Sequence, residues 1–300
     1  MDERDFLARR FEEHRTHLRA VAYRMLGSLA DADDAIQEAW LRLARSQDDD
    51  IDNLGGWLTT VVGRVCLDML RSRRTRGEQP LEPRMPDPVV SGDGADPERE
   101  ALIADSVGLA LLVVLESLSP AERLAFVLHD TFGLPFEEIA PIVDRTPAAA
   151  RKLASRARQR VQGSAPEPDP DPVAQRRAVD AFLAAARGGD FDTLVALLDP
   201  DIVLRADSGK VLPGGMRALY GAGTVAGQAA TFQRMATAAA ARPALVNGTA
   251  GLVNTIGGEL VSIMSFTVAN GRIVAIDILS DPERLAAIDL TALAAQACST

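Results

Sequence analysis

Thr146-Pro-Ala-Ala-Ala-Arg-Lys-Leu-Ala-Ser-Arg-Ala-Arg-Gln-Arg160 decides how this chain is read. Thr146 is a good helix N-cap, and Pro147 falls at the first helical position, where a missing N–H costs nothing. Ala150, Leu153, Ala157 and Val161 recur at helical spacing and are expected to pack inward. Ala148, Ala149, Arg151, Lys152, Ser155 and Arg156 then face out. Cations crowd this helix (Arg145, Arg151, Lys152, Arg156, Arg158, Arg160), and no acid lies between Asp144 and Glu167, although the chain carries a formal net charge of −10. A basic helix on an acidic protein is a local device, and its commonest use is meeting a phosphate backbone. Taken alone, the pattern is equally that of a solvated basic helix.

What precedes the helix sharpens the reading. Ser119-Pro120-Ala121-Glu122 is a helix start, with Ser as cap and Glu at the positive end of the dipole. Leu124, Ala125, Val127 and Leu128 follow, Gly133 marks a turn, and Pro135 opens a segment carrying Phe136, Ile139, Ile142 and Val143. Asp144-Arg145 then turns into Thr146. Two short helices and a basic one make a helix-turn-helix. Pro141 falls inside the supporting helix, which is therefore expected to be short or distorted.

Residues 11–76 read as a second helical unit. Phe11, Leu18, Val21, Ala22, Met25 and Leu26 form an apolar stripe. Beyond Gly27-Ser28, Ala35, Ile36, Ala39, Trp40 and Leu43 form another, with Asp31, Asp34 and Glu38 on the opposite face. A further helix from Gly55 ends in the basic cluster Arg71, Arg73, Arg74 and Arg76. Trp57 suits either core packing or base stacking, and Asp68 suits an intrahelical ion pair with Arg64 or Arg71.

On these residues the chain resembles the extracytoplasmic-function group of the sigma-70 family of bacterial RNA polymerase sigma factors. The helix Asp31-Ala-Asp-Asp-Ala-Ile-Gln-Glu-Ala-Trp40 is similar to the family's region 2, which docks on polymerase. The helix containing Trp57-Leu58, Arg64, Asp68 and Leu70-Arg-Ser-Arg-Arg74 is similar to the part that reads and melts the −10 element. The helix-turn-helix at 119–161 is similar to region 4, which reads the −35 element. The resemblance implies core RNA polymerase and promoter DNA as partners. It assigns polymerase binding to Asp31, Asp34, Gln37 and Glu38 and the −10 side to Arg64, Arg71, Arg73 and Arg74. It assigns the −35 side to Arg145, Ala148, Ala149, Arg151, Lys152, Ser155 and Arg156.

Pro80, Pro83, Pro86, Pro88 and Pro97, with Gly92 and Gly94, make residues 77–100 a loop or extended linker. Gly163-Ser-Ala-Pro-Glu-Pro-Asp-Pro-Asp-Pro172 reads as a second, stiff linker. Beyond it helices are expected over Val173–Arg187, from Asp190 to Leu198, and around Val225–Ala239. Ile202-Val-Leu-Arg-Ala206 and a Gly-rich stretch from Gly209 lie between the last two helices, and strands are expected at Ala244–Asn247, Leu252–Ile256, Leu260–Val268 and Ile273–Leu279, with Asn270-Gly271 as a hairpin turn. Helices followed by antiparallel strands indicate an α+β domain. The organisation is therefore multidomain, with all-α units at 5–76 and 101–162, linkers at 77–100 and 163–172, and an α+β domain at 173–290.

Phe182-Leu-Ala-Ala-Ala-Arg-Gly-Gly-Asp-Phe-Asp-Thr-Leu-Val-Ala-Leu-Leu-Asp-Pro-Asp201 and the element order resemble a SnoaL-like domain of the NTF2-like superfamily. With the helical regions this resembles the SigJ-like sigma factors, whose fused C-terminal domain modulates the sigma unit in cis. Asp207-Ser-Gly-Lys210 and Asp281-Pro-Glu-Arg284-Leu285 are similar to degenerate forms of that group's Asp-Gly-Gly-Gly-Lys and Asn-Pro-Asp-Lys-Leu motifs. Gln79-Pro-Leu-Glu-Pro83 is similar to its Trp-Leu-Pro-Glu-Pro motif without the Trp. The resemblance gives Asp207, Lys210, Asp281, Arg284 and Leu285 interdomain or regulatory roles.

A length of 300 residues with 47% hydrophobic content accommodates two or three domains. Cys66 and Cys298 are far apart, which argues against a disulfide framework and for a reducing cytoplasm. The charged start Met1-Asp-Glu-Arg-Asp5 indicates no signal peptide, and no apolar run is long enough to span a membrane. No metal spacing, cofactor motif or catalytic constellation appears. Relatives of the C-terminal fold include cyclases and isomerases, for which Asp207, Asp277 and Glu259 are the candidate bases. Met216, Phe232, Met235, Met264 and Phe266 suit either a pocket for a small ligand or an ordinary core. The alternatives to a sigma factor are a DNA-targeted enzyme and a one-component repressor that senses a ligand.

Overall fold

Short side chains and well-placed caps set the helices of the first half. In the computed structural model, residues 3–46, 53–75, 84–91, 108–164, 168–209, 216–288 and 290 are described. Helix α1 (Glu3–Leu26) ends at Gly27, whose φ of +68° ends the helix in the left-handed region. Ser28 then caps α2 (Leu29–Leu43), its hydroxyl accepting from the Asp31 amide at 3.4 Å. Helix α2 buries Ala32, Ala35, Ile36, Ala39 and Leu43 against α1 and α3 (Leu54–Thr75). Leu18, Val21, Met25, Leu58, Val62 and Cys66 fill the core of this group.

The second helical group follows. It holds α4 (Leu109–Glu116), α5 (Pro120–Phe126), a π-helical turn (Val127–Thr131), α6 (Phe136–Ile139) and α7 (Pro147–Ser164). Ser119 and Glu122 form the full capping box at the start of α5. Pro141 has the expected effect: α6 is a single turn, and the chain leaves it through a turn that ends at Asp144, with φ +55°. The inward face of α7 differs from the sequence expectation. Ala150, Ala154 and Ala157 are buried, whereas Leu153 is only half-buried and so is Val161. A row of methyl groups lets α7 approach α5 closely and pushes the bulkier residues to the rim.

The chain divides into two compact units, Met1–Leu81 with Leu112–Ser164, and Glu82–Leu111 with Ala165–Thr300. In the second, α8 (Pro172–Gly188) is capped by Asp171 and ends at Gly189 in the left-handed conformation, and Asp190 caps α9 (Phe191–Leu197). The strands are β1 (Val90–Ser91), β2 (Leu198–Asp207), β3 (Met216–Tyr220), β4 (Ala240–Val246), β5 (Thr249–Ile256), β6 (Glu259–Ala269) and β7 (Arg272–Leu279). They form one sheet in the order β1-β4-β5-β6-β7-β2-β3, antiparallel except for β2 against β7. Asn270-Gly271 makes the expected hairpin, with φ of +53° and +73°, and Asn247-Gly248 makes another. The helix expected around 225–239 is two, α10 (Ala222–Ala226) and α11 (Ala229–Ala238), broken at Gly227-Gln228. A last turn, α12 (Pro282–Leu285), is capped by Asp281.

Both linkers are more ordered, where described, than their composition suggests. Val90 and Ser91 pair with Val246 and Leu245 at the sheet edge. Asn247 holds Val89 at both ends: its amide donates to the Val89 carbonyl at 2.8 Å, and its side-chain oxygen accepts from the Val89 amide at 3.1 Å. In the second linker, Asp169 accepts the Asn270 and Gly271 amides at 2.8 and 2.9 Å and donates its own to Val268 at 2.7 Å. This part of the Pro/acid stretch is extended, as expected, but fastened to a hairpin.

Candidate nucleic-acid interface

On α7, Ala148, Arg151, Lys152, Ser155 and Arg156 are exposed as the spacing predicts, and Ala149 is half-buried. The Arg145 guanidinium donates to the Asp144 carbonyl at 2.8 Å. Arg151 lies over the Phe136 ring at 5.3 Å, and His129 stacks on the same ring at 3.9 Å. His129 also donates through Nδ1 to the Leu134 carbonyl at 2.9 Å, so its place is structural. Acids of the supporting helices meet the later cations. Glu122 receives Arg156 Nε at 3.1 Å and Arg160 Nη1 at 3.0 Å, and Asp130 receives Arg158. Burial acts to raise the Glu122 carboxyl, but hydrogen bonds from Ser119 and the charges of Arg160 and Arg156 more than offset it and leave it below its ordinary value. Sequence reasoning missed these acids. The capping-box Glu122 was visible, but not that it lies beneath α7.

The acidic face of α2 borders a groove against α1. Its cavity of about 380 Å³ is lined by Phe11, Arg15, Asp33, Asp34, Gln37 and Trp40, among others. Phe11 and Trp40 meet edge-on at 5.2 Å and supply its apolar part. Asp34 and Gln37 are exposed there, whereas Glu38 is tied to Arg42 at 2.9 Å. Asp31 pairs with Arg73, so the structure joins one residue assigned to polymerase with one assigned to DNA.

The other cations of α3 meet the helix-turn-helix. Arg64 donates to the Pro141 carbonyl at 3.3 Å, and Arg71 faces Asp144 at 3.9 Å. Gly63 lies against Leu124, Leu128 and Ile142. Phe132 meets the His17 ring at 5.0 Å and the Arg24 guanidinium at 4.9 Å. Arg123, with a side chain 2% exposed, donates through Nε to the Arg24 carbonyl at 3.0 Å and pairs with Glu116 at 2.9 Å. Asp68 is exposed and makes no ion pair among the described residues, contrary to one sequence expectation. Trp57 is half-buried. The Arg74 side chain lies outside the described residues.

The second unit gathers its motif residues around one arginine. Arg284 donates to Asp207 at 2.9 Å and to the Met85 carbonyl at 2.6 Å, and pairs with Asp87. Asp207 also accepts the amides of Met85 and Gly209, each at 3.0 Å. Asp281 caps the turn that carries Arg284, and Leu285 is buried. Lys210 lies outside the described residues. Two of the segments flagged by sequence thus clamp the first linker, at Met85 and Asp87, two contact positions that sequence reasoning missed.

The helix-facing side of the sheet, where a small-ligand pocket was left open, is filled by Phe182, Phe232 and Phe266, with ring centroids 5.4 Å apart in two edge-on pairs. Met264 joins this core, but Met235 is exposed and Met216 half-buried. Asp277 lies on the opposite face from Ile276 and Ile278, paired with Arg205 at 2.9 Å. Burial pushes its carboxyl up, with Arg205 opposing. A carboxyl that binds its proton more tightly when folded favours folding at low pH and loses that contribution as pH rises from its ordinary value through the raised one. Urea melts of the protein are expected to show this loss as pH climbs past about 4, and Asp277→Asn to flatten it. Cys66 is buried, which drives its thiol up to about 12 and leaves it unreactive. Among the described residues no cluster of acids, histidines or cysteines could hold a metal ion, and no helix is long and apolar enough to cross a membrane.

Comparison with known proteins places these features. Residues 10–76 match the Sigma-70 region 2 family and residues 108–161 the Sigma-70, region 4 family. The chain is 42% identical to the ECF RNA polymerase sigma factor SigJ of Mycobacterium tuberculosis, covering 91% of each. It is 34% identical to the probable ECF RNA polymerase sigma factor SigI of the same species, over 95% of this chain and 97% of that one. The crystal structure of M. tuberculosis SigJ superposes with a TM-score of 0.76 at 36% identity, covering 94% of this chain and 99% of that one.

Proposed function

The chain belongs to the extracytoplasmic-function RNA polymerase sigma factors of the sigma-70 family, and on that premise we propose how its parts divide the work. It is a sigma factor that directs promoter-specific transcription. The carrying observation is that both sigma regions occur in order within an alignment spanning nearly all of the chain and of a SigJ relative. The α1/α2 groove, with exposed Asp34 and Gln37 beside Phe11 and Trp40, docks on a basic and apolar surface of core polymerase. Helix α7 reads the −35 duplex through Arg151, Lys152, Ser155 and Arg156, with Arg145 and the small residues Ala148 and Ala149 at its leading end. Arg64, Arg71, Arg73 and Arg74 serve the −10 side. The protein works in the cytoplasm, where polymerase and promoter are.

The C-terminal unit is an NTF2-like domain acting in cis. What supports this is the clamp of Asp207 and Arg284 on Met85 and Asp87, in the segment that joins the two sigma regions. The domain works by binding rather than catalysis: Asp207 and Asp277 are each held by an arginine, and Glu259 is exposed at the end of a strand.

Run-off transcription with core polymerase, the full chain and a promoter library tests the reading. Discrete, template-dependent transcripts are expected, and no RNA from any template would overturn it. Arg151→Ala is expected to weaken binding of the holoenzyme to its selected promoter by about 1–3 kcal/mol, measured by equilibrium titration.

A further inference from the structure

We infer that Glu122, which lies beneath the recognition helix, is a positioning residue that aims Arg156 and Arg160 at promoter DNA and so sets how sharply the −35 sequence is read. The inference rests on α7 being the −35 reader. Glu122 is 7% exposed, while Arg156 and Arg160 are 58% and 51% exposed, so one buried carboxylate anchors two arginines that reach into solvent. The arginines stand one helical turn apart, which puts both on the same face of α7. The carboxylate cannot swing away to follow them. Its Oε2 also accepts from the Ser119 amide at 3.2 Å and the Ser119 hydroxyl at 2.7 Å.

The manner of contact matters more than the charge. Arg156 reaches Glu122 through Nε. Among the described residues its two terminal nitrogens make no bond, and they form the edge of the guanidinium plane that lies away from Nε. A guanidinium fixed in this way presents a planar fork suited to a guanine edge or a phosphate, with little side-chain entropy left to lose on binding. A mobile arginine still neutralises phosphate, but it holds no particular base. Lys152 and Ser155 stand beside Arg156 on the exposed face, with no anchor of this kind among the described residues. Sequence specificity should therefore depend on Glu122 although Glu122 touches no DNA.

Glu122→Gln tests this, because glutamine preserves the capping box while removing the charge that holds the arginines. The probe is a promoter duplex enriched from a randomised library by the wild-type holoenzyme, set against a scrambled duplex of equal length. Affinities are measured over a salt series. The expected result is a loss of about tenfold or more in the ratio of specific to non-specific affinity. Scrambled-duplex affinity should hold or rise, and its salt dependence should not weaken, since both arginines stay charged. Arg156→Lys keeps the charge without the fork and should lower the ratio similarly. Combining the two should add little further loss. If Glu122→Gln does not fold, Arg156→Lys decides: an undiminished ratio overturns the inference. So does an unchanged ratio in Glu122→Gln, or an equal fall in both affinities, which marks a purely structural role. A wild-type holoenzyme that enriches no sequence overturns the −35 reading itself, which is a distinct failure.

Discussion

Arg284→Ala is expected to lower the stability of the second unit by about 3–5 kcal/mol, the usual consequence of removing one member of a buried ion pair. Arg284 and Asp207 have side chains only 6% and 4% exposed. Without the guanidinium, the Asp207 carboxylate keeps the amides of Met85 and Gly209 but loses its only cationic partner among the described residues. The Met85 carbonyl and Asp87 lose the bonds from Arg284 at the same time. The urea midpoint should fall, and residues 84–91 should become cleavable by protease in the otherwise folded protein. Arg284→Lys should fall between, since an ammonium replaces the charge but cannot span all three acceptors. A midpoint unchanged in Arg284→Ala would show that the clamp contributes nothing to holding the linker.

Arg123→Ala should be nearly as damaging, by about 3 kcal/mol or more. The guanidinium is buried between α5 and the end of α1, and one of its nitrogens, Nη2, has no hydrogen-bond partner among the described residues. Truncation removes the bond to the Arg24 carbonyl, empties the volume of a buried side chain and releases Glu116. Because Glu116 is 36% exposed, water recovers part of the loss, which places the effect at the lower end of the usual range. Hydrogen exchange at the last turn of α1 and a urea melt would measure it. The same contact holds the two sigma regions together. Paired spin labels on α3 and α5 should therefore report a longer and broader distance in the variant, with Arg64 and Arg71 released from the helix-turn-helix. An unaltered distance distribution would mean that Gly63, Leu128 and Ile142 hold the regions together without Arg123.

Much of this was legible in the sequence, for definite reasons. The helix caps at Ser119 and Asp190 are local, so residue type alone marks them. The same holds for Pro141 and for Asn270-Gly271. Asn247-Gly248 carried the same signal and also makes a turn. Non-local contacts were not legible. Nothing near Val90 in sequence announces a strand, because its partner Val246 is far along the chain. The pairing of Arg73 with Asp31, or of Arg156 with Glu122, follows from how helices cross rather than from periodicity on either one. On α7, periodicity could not choose between Leu153 and Ala154 for the interior, because the closeness of α5 makes that choice.

The C-terminal unit is discontinuous: the chain enters it at residues 84–91, leaves to build region 4, and returns at Asp169. Cutting the gene after region 4 therefore does more than delete an appendage. It orphans Met85, Val89 and Val90, which are 1%, 6% and 3% exposed in the intact protein, and leaves them as a sticky apolar ribbon. A shortened protein that behaves differently would therefore be reporting that new stickiness as well as the loss of the domain itself.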